Sequence, residues 1–70
     1  MLPMLHGKAV IGYDGEPVGV CMEGNDHAIR VRLLNGHEAW LRGDAILNAS
    51  GPDVVLICYA EGIDRWVYAP

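Results

Sequence analysis

The chain is poor in the side chains that enzymes use as nucleophiles. Ser50 is its only serine, threonine is absent, and Ser50 stands in a Gly-Pro loop where turn formation explains it. The two cysteines, Cys21 and Cys58, lie in separate apolar runs without the Cys-x-x-Cys spacing of redox and metal sites. Cysteines in this setting are typically buried free thiols. With no phosphate-binding glycine motif either, the sequence predicts a protein without catalytic residues or a cofactor.

A metal site is not expected. His27 and His37 flank one proposed hairpin, near its open end and its turn, so they are too far apart to share one ion without a partner chain. The acidic loop at residues 23–26 offers oxygen atoms but lacks the alternating aspartates of a calcium loop. Solvation of a turn explains its charge.

The chain also lacks a positive excess and a long apolar run. Nine acidic residues against five basic ones give a net charge of −4, whereas nucleic-acid-binding surfaces and anionic membranes call for basic residues. No stretch approaches the roughly 18 apolar residues of a membrane span. Residues 1–6 are too short and too poor in positive charge for a signal peptide. We therefore expect a cytoplasmic protein that does not bind a membrane, and the acidic balance disfavours nucleic acid as a partner.

Turn signals are present at short, regular intervals. Glycine pairs with aspartate or asparagine at positions 14–15, 24–26, 35–36 and 50–53, and runs rich in valine and isoleucine lie between them. This spacing is typical of a small all-β barrel or sandwich. We predict one domain, residues 1–70, with a flexible start at residues 1–6. The five predicted strands are residues 8–12, 17–22, 27–34, 37–42 and 54–59.

Two further segments have less regular patterns. Residues 43–47 could form one short helical turn, with Asp44 near its start. Residues 60–68 have two interpretations: residues 65–68 add a sixth strand, or residues 61–65 form a helical turn.

The hairpin around Asn35-Gly36 has two possible registers. A two-residue turn would place Val31 opposite Trp40 and would mix core and charged residues on each face. A three-residue loop, Leu34-Asn35-Gly36, instead makes one face wholly apolar, because Val31 then faces Ala39. We predict the three-residue loop.

In that register the other face of the hairpin carries charge. Arg32 lies opposite Glu38 as an ion pair, and Arg30 can stack on Trp40. Such contacts explain the face as a solvated sheet surface. The alternative is a contact patch for another protein, because tryptophan and arginine dominate interface hot spots. Its residues would be Arg30, Arg32, Trp40 and Arg42.

Residues 54–59 are apolar at every position, so both faces of this strand should be covered. Hydrophobic residues make up 51% of the chain, although a small domain buries apolar groups inefficiently. A homodimer would cover the strand, and so would the C-terminal segment folding back over it. The sequence leaves both open. The predicted self-association residues are Val55, Ile57, Tyr59, Trp66 and Tyr68.

Three stretches carry a family likeness: residues 7–10, residues 14–20 with an Asp-Gly turn and a hydrophobic-Gly-hydrophobic strand, and residues 40–46 after the hairpin. Together they resemble the PRC-barrel pattern over roughly residues 7–59. The resemblance implies a five- or six-stranded antiparallel, SH3-like barrel that serves as an adaptor or assembly module, without shared catalytic residues. A weaker similarity to a small β-barrel family of hydrogenase-maturation chaperones fails at Leu2, where that family requires cysteine.

These observations favour a non-catalytic β-barrel that self-associates and binds a protein partner. The alternative is a small-molecule or RNA-binding protein whose site forms between subunits.

Overall fold

The computed structural model of the chain describes residues 6–25 and 27–67. These residues form six strands and two 3₁₀ elements, so the predicted all-β class is confirmed. The 3₁₀ elements are a turn at Gly43–Ala45 and a helix at Ala60–Trp66. Residues 1–5 of the predicted flexible start, and Tyr68, lie outside the described residues. The strands are β1 Ala9–Ile11, β2 Pro17–Gly24, β3 Ala28–Leu33, β4 Glu38–Arg42, β5 Ile46–Asn48 and β6 Asp53–Leu56.

Strands β1 to β4 and β6 begin and end within two residues of the predicted strands, with one exception. Strand β6 ends at Leu56, three residues before the predicted end at residue 59. Strand β5 is additional to the five predicted strands. It begins in the segment 43–47, where a helical turn was predicted, and the observed turn covers only Gly43–Ala45. For residues 60–68 the helical alternative is confirmed by the helix Ala60–Trp66. Val67, directly after it, forms a single antiparallel bridge with Leu41.

The strands form one sheet in the order β4-β3-β2-β1-β6-β5, which is not closed by pairing of its two edge strands. All neighbours are antiparallel except β1 and β6, which run parallel, contrary to the predicted antiparallel barrel. Since β6 is parallel to β1 and β5 is antiparallel to β6, β4 and β5 point the same way. The turn Gly43–Ala45 thus carries the chain onward without reversing it.

One core fills the inner side of the curved sheet. Alternation along the strands sends every second side chain inward, where apolar groups leave water. The 3₁₀ helix adds Ala60 and Ile63 to this core from one end. The largest fully buried side chains are those of Val10, Cys21, Ile29, Val31, Leu41, Val54 and Leu56.

The predicted three-residue hairpin loop is confirmed. Val31 lies opposite Ala39, Ile29 opposite Leu41 and Arg30 opposite Trp40. The loop closes through a bond of 2.7 Å from the Leu33 amide to the His37 carbonyl, and Gly36 has a φ of 89°. Glycine adopts this left-handed conformation without the steric cost that a Cβ brings. The sequence places its glycine where the loop type needs one.

Strand β2 approaches β3 unusually closely at Gly19, which is paired with Leu33. A Cβ built on Gly19 would overlap the carbonyl oxygen of Arg32 and would lie 2.9 Å from its carbonyl carbon. The position therefore admits no side chain. A glycine inside a strand is typical of such a close approach of another backbone.

Candidate functional site

The four predicted partner-binding residues lie on the outer face of strands β3 and β4; we call this the arginine face. They are Arg30, Arg32, Trp40 and Arg42. The predicted pair between Arg32 and Glu38 is present at 2.9 Å. Arg30 lies between two carboxylates, Glu23 at 3.4 Å and Glu38 at 3.5 Å. The outer face of the hairpin is thus an internally compensated charge network.

The predicted stacking of Arg30 on Trp40 is not found, and a different arginine stacks on a different tryptophan. In residues 6–25 and 27–67, the cation–π contact found is Arg42 over the ring of Trp66, 5.4 Å from its centroid. Arg42 also pairs with Asp44 at 2.7 Å. Arg30 turns instead toward Glu23, which a β-bulge in β2 brings directly opposite it. A carboxylate attracts a guanidinium more strongly than a ring does.

The network shifts the titration of Glu38. Its hydrogen bond from Arg32, together with the charges of Arg30 and Arg32, holds the pKa of this carboxyl below its ordinary value of 4.5, against an opposing effect of burial. A carboxyl group with a lowered folded-state pKa stabilises the fold above its unfolded-state pKa. That contribution disappears as the pH falls through the folded-state pKa, below 4.5.

We therefore expect Glu38→Gln to lower stability at neutral pH and to have no effect in strong acid, where the wild-type carboxyl is protonated as well. Urea unfolding of both proteins at the two pH values measures this. In an Arg32→Met background the effect of Glu38→Gln at neutral pH should shrink, because the closest cation is gone. An equal loss of stability at both pH values would contradict the assignment.

A second outer surface, on the opposite half of the sheet, is apolar. Tyr13 and Tyr59 stack with their ring centroids 6.4 Å apart, and the Tyr13 amide donates to the Cys58 carbonyl at 2.8 Å. Half-buried Ile11 and Val55 are neighbours across the parallel β1–β6 pair. We define the apolar patch as these side chains and two more exposed ones, one from β5 and one directly after β6. Its residues are Ile11, Tyr13, Leu47, Val55, Ile57 and Tyr59.

The exposure of these side chains is high for apolar groups. Tyr13 is 62% exposed, Tyr59 56%, Leu47 55% and Ile57 42%. The helix Ala60–Trp66 packs against the core through Ala60 and Ile63 and does not cover them. Two alternatives were considered for covering residues 54–59, a second copy of the chain and the C-terminal segment. The helix of the C-terminal segment leaves the outer side of Ile57 and Tyr59 exposed.

The predicted self-association residues are only partly brought together. Val55, Ile57 and Tyr59 lie in the apolar patch, but Trp66 lies beside Arg42, at the far edge strand of the sheet. Tyr68 lies outside the described residues. Sequence reasoning missed Tyr13 and Ile11, because only the pairing of β1 with β6, more than forty residues apart, puts them beside Val55.

The two cysteines are free, Cys21 buried and Cys58 half-buried. Burial raises the pKa of the Cys21 thiol, and a hydrogen bond with the Glu23 backbone only partly offsets this. Burial likewise raises the pKa of Cys58, against an opposing hydrogen bond of its own backbone and with a further increase from the charge of Asp14. Thiols in this state remain protonated at neutral pH and react slowly as nucleophiles.

Two negative findings apply to the described part of the chain. None of its His, Cys, Asp and Glu side chains forms a group of three that could hold a metal ion. None of its helices is long and apolar enough to cross a membrane.

Comparison of the sequence with protein-family models and curated proteins, and of the fold with solved structures, gives no match.

Proposed function

We propose that this protein is a non-catalytic β-domain of the PRC-barrel kind, which self-associates through the apolar patch and serves as a protein-interaction or assembly module. The observation that supports it is the stack of exposed Tyr13 and Tyr59 on the half of the sheet that also carries the Ile11–Val55 pair and the exposed side chains of Leu47 and Ile57. Contiguous exposed apolar surface on a small soluble domain marks an interaction site. The tyrosines suit this role, because each combines a large apolar area with a polar tip.

A second copy of the chain is the simplest partner for the patch. In a two-fold dimer the same patch faces itself, so exposed apolar groups on one protomer meet their equivalents on the other. The accessible surface of the chain, 4457 Å², is close to the roughly 4300 Å² expected for a compact monomer of its mass. The proposed dimer therefore joins two folded units rather than intertwined chains. A standard interface of about 800 Å² per partner would cover about a fifth of this surface.

The charge network favours the patch over the arginine face as the association surface. Arg30, Arg32 and Arg42 each have a carboxylate within 3.5 Å, so a partner would have to compete with existing ion pairs. The same pairing leaves little positive charge available for RNA, which needs unpaired lysine and arginine along its phosphates.

Sedimentation velocity over micromolar to millimolar concentrations tests the proposal. The mass should rise from 7.6 kDa toward twice that value as concentration increases. Amide resonances of Tyr13, Ile57 and Tyr59 should shift over the same range, while those of Arg30 and Arg32 stay fixed. A mass of 7.6 kDa that persists at millimolar concentration would remove self-association from the proposal.

A further inference from the structure

A groove of about 360 Å³ lies between the β3–β4 loop and the helix Ala60–Trp66. Apolar side chains line its interior: Val18 from β2, Leu33 from β3 and Ile63 from the helix. Leu34, in the hairpin loop, forms one wall and is 71% exposed. Glu61 and Asp64, both exposed, line the opposite side. The groove shares no residue with the apolar patch.

The helix arranges this lining through its periodicity. A 3₁₀ helix has three residues per turn, so side chains three positions apart lie above one another. Ala60 and Ile63 are three apart and both pack against the core. Glu61 and Asp64 are also three apart, and they form the next row around the helix, where the groove meets water. One short helix thus supplies both an apolar floor and a pair of carboxylates.

These carboxylates differ from those of the arginine face. Glu23, Glu38 and Asp44 each pair with an arginine, whereas Glu61 and Asp64 form no ion pair within residues 6–25 and 27–67. Two uncompensated negative charges beside apolar surface favour a ligand with a positive head on an aliphatic stem. Arginine and lysine side chains have this composition, and they bury the stem while the head stays at the water boundary.

We infer that the groove binds a segment of a partner protein in which an arginine or lysine stands next to a large aliphatic residue. The groove is shallow and open, so it would cover one face of its ligand, as a peptide site does. Small molecules are usually bound with most of their surface buried. The inference rests on the proposed function in taking the domain as an interaction module, and it assigns that module a partner chemistry.

Titration of the isotope-labelled protein with an acetylated, amidated peptide of alternating leucine and arginine tests this at low and high salt. Amide shifts should concentrate at Val18, Leu33, Leu34 and Ile63, and binding should weaken as salt rises. A peptide of alternating leucine and glutamate, and one of alternating serine and arginine, should bind at least several-fold more weakly. Shifts centred on the apolar patch, or equal binding of the serine–arginine peptide, would overturn the inference.

Variants separate the groove from general attraction to a negatively charged protein. Glu61→Gln and Asp64→Asn should each raise the peptide dissociation constant about two- to fivefold. Asp53→Asn, which removes the same charge outside the groove lining, should leave it unchanged. Leu34→Ala, at an exposed wall position, should also weaken binding. Equal effects of Asp53→Asn and Asp64→Asn would contradict a specific site.

A monomeric patch variant, Ile57→Asp, distinguishes failure of this inference from failure of the proposed function. Peptide binding that persists in this variant places the site outside the dimer interface, as inferred. If the wild type dimerises but binds no peptide, the groove assignment fails and self-association stands. If dilution of the protein alone shifts Leu34 and Ile63, a second copy occupies the groove and the partner assignment is wrong.

Discussion

Replacement of Gly19 by alanine is expected to destabilise the domain by about 3 kcal/mol or more, a fall in melting temperature of at least roughly 12 °C. The added Cβ would overlap the Arg32 carbonyl oxygen and approach its carbonyl carbon to 2.9 Å. A backbone carbonyl in a paired strand cannot rotate aside as a flexible side chain can. Strands β2 and β3 must therefore separate, and with them the pairing of Cys21 with Val31 in the core. Thermal and urea unfolding monitored by circular dichroism measure the loss.

Gly51→Ala is the matched control for Gly19→Ala. Nothing lies within 4 Å of a Cβ at Gly51, and its φ is outside the left-handed region. The same chemical change there should alter stability by less than about 1 kcal/mol. A 70-residue domain has a total stability of only about 4–10 kcal/mol, so an unfolded Gly19→Ala protein beside a folded Gly51→Ala protein also satisfies the expectation. Similar melting temperatures for both variants would show that the strands adjust freely.

Ile57→Asp is expected to raise the dimer dissociation constant by about 100-fold or more. The substitution places a carboxylate in apolar surroundings on both sides of a two-fold interface, where it loses hydration and faces a like charge. Because Ile57 is already 42% exposed in the single chain, the fold itself should tolerate the change. Sedimentation equilibrium gives the dissociation constant, and circular dichroism confirms that the monomer is folded.

Val20→Asp provides a close control. Val20 has the same exposure, 42%, but lies on β2 opposite Arg32, beside the arginine face. Aspartate at this position should leave the dissociation constant within about threefold of wild type. Equal weakening by Val20→Asp and Ile57→Asp would mean that added negative charge, rather than the apolar patch, controls association.

The local part of the fold could be predicted from sequence because alternation and turn chemistry agree there. In the hairpin, only the three-residue loop puts Ile29, Val31 and Leu41 on one side, and the observed register is this one. Strand β5 was not predicted, because it has only three residues and a bulge interrupts the alternation of inward and outward side chains. The parallel pairing of β1 with β6 depends on the turn Gly43–Ala45, which does not reverse the chain. No residue pattern in the sequence predicts a turn of this kind.

The contacts on the candidate surfaces also divide into local ones, which could be predicted, and long-range ones, which could not. The pair between Arg32 and Glu38 follows from register alone and was predicted. The second partner of Arg30, Glu23, depends on a bulge that skips one residue of β2 and shifts the pairing. Contacts that join distant segments, such as Tyr13 with Tyr59 and Arg42 with Trp66, need the three-dimensional arrangement before they can be seen.

Lys8 is the only lysine in the chain, and its ammonium group donates to the carbonyl of Ala49 at 2.6 Å, which ties the start of β1 to the loop between β5 and β6. Acylation of this amine removes its charge, so reagents that couple through amines would weaken the contact with Ala49 while marking the protein. Fluorophores and surface immobilisation are better attached through an engineered thiol away from residues 8 and 49.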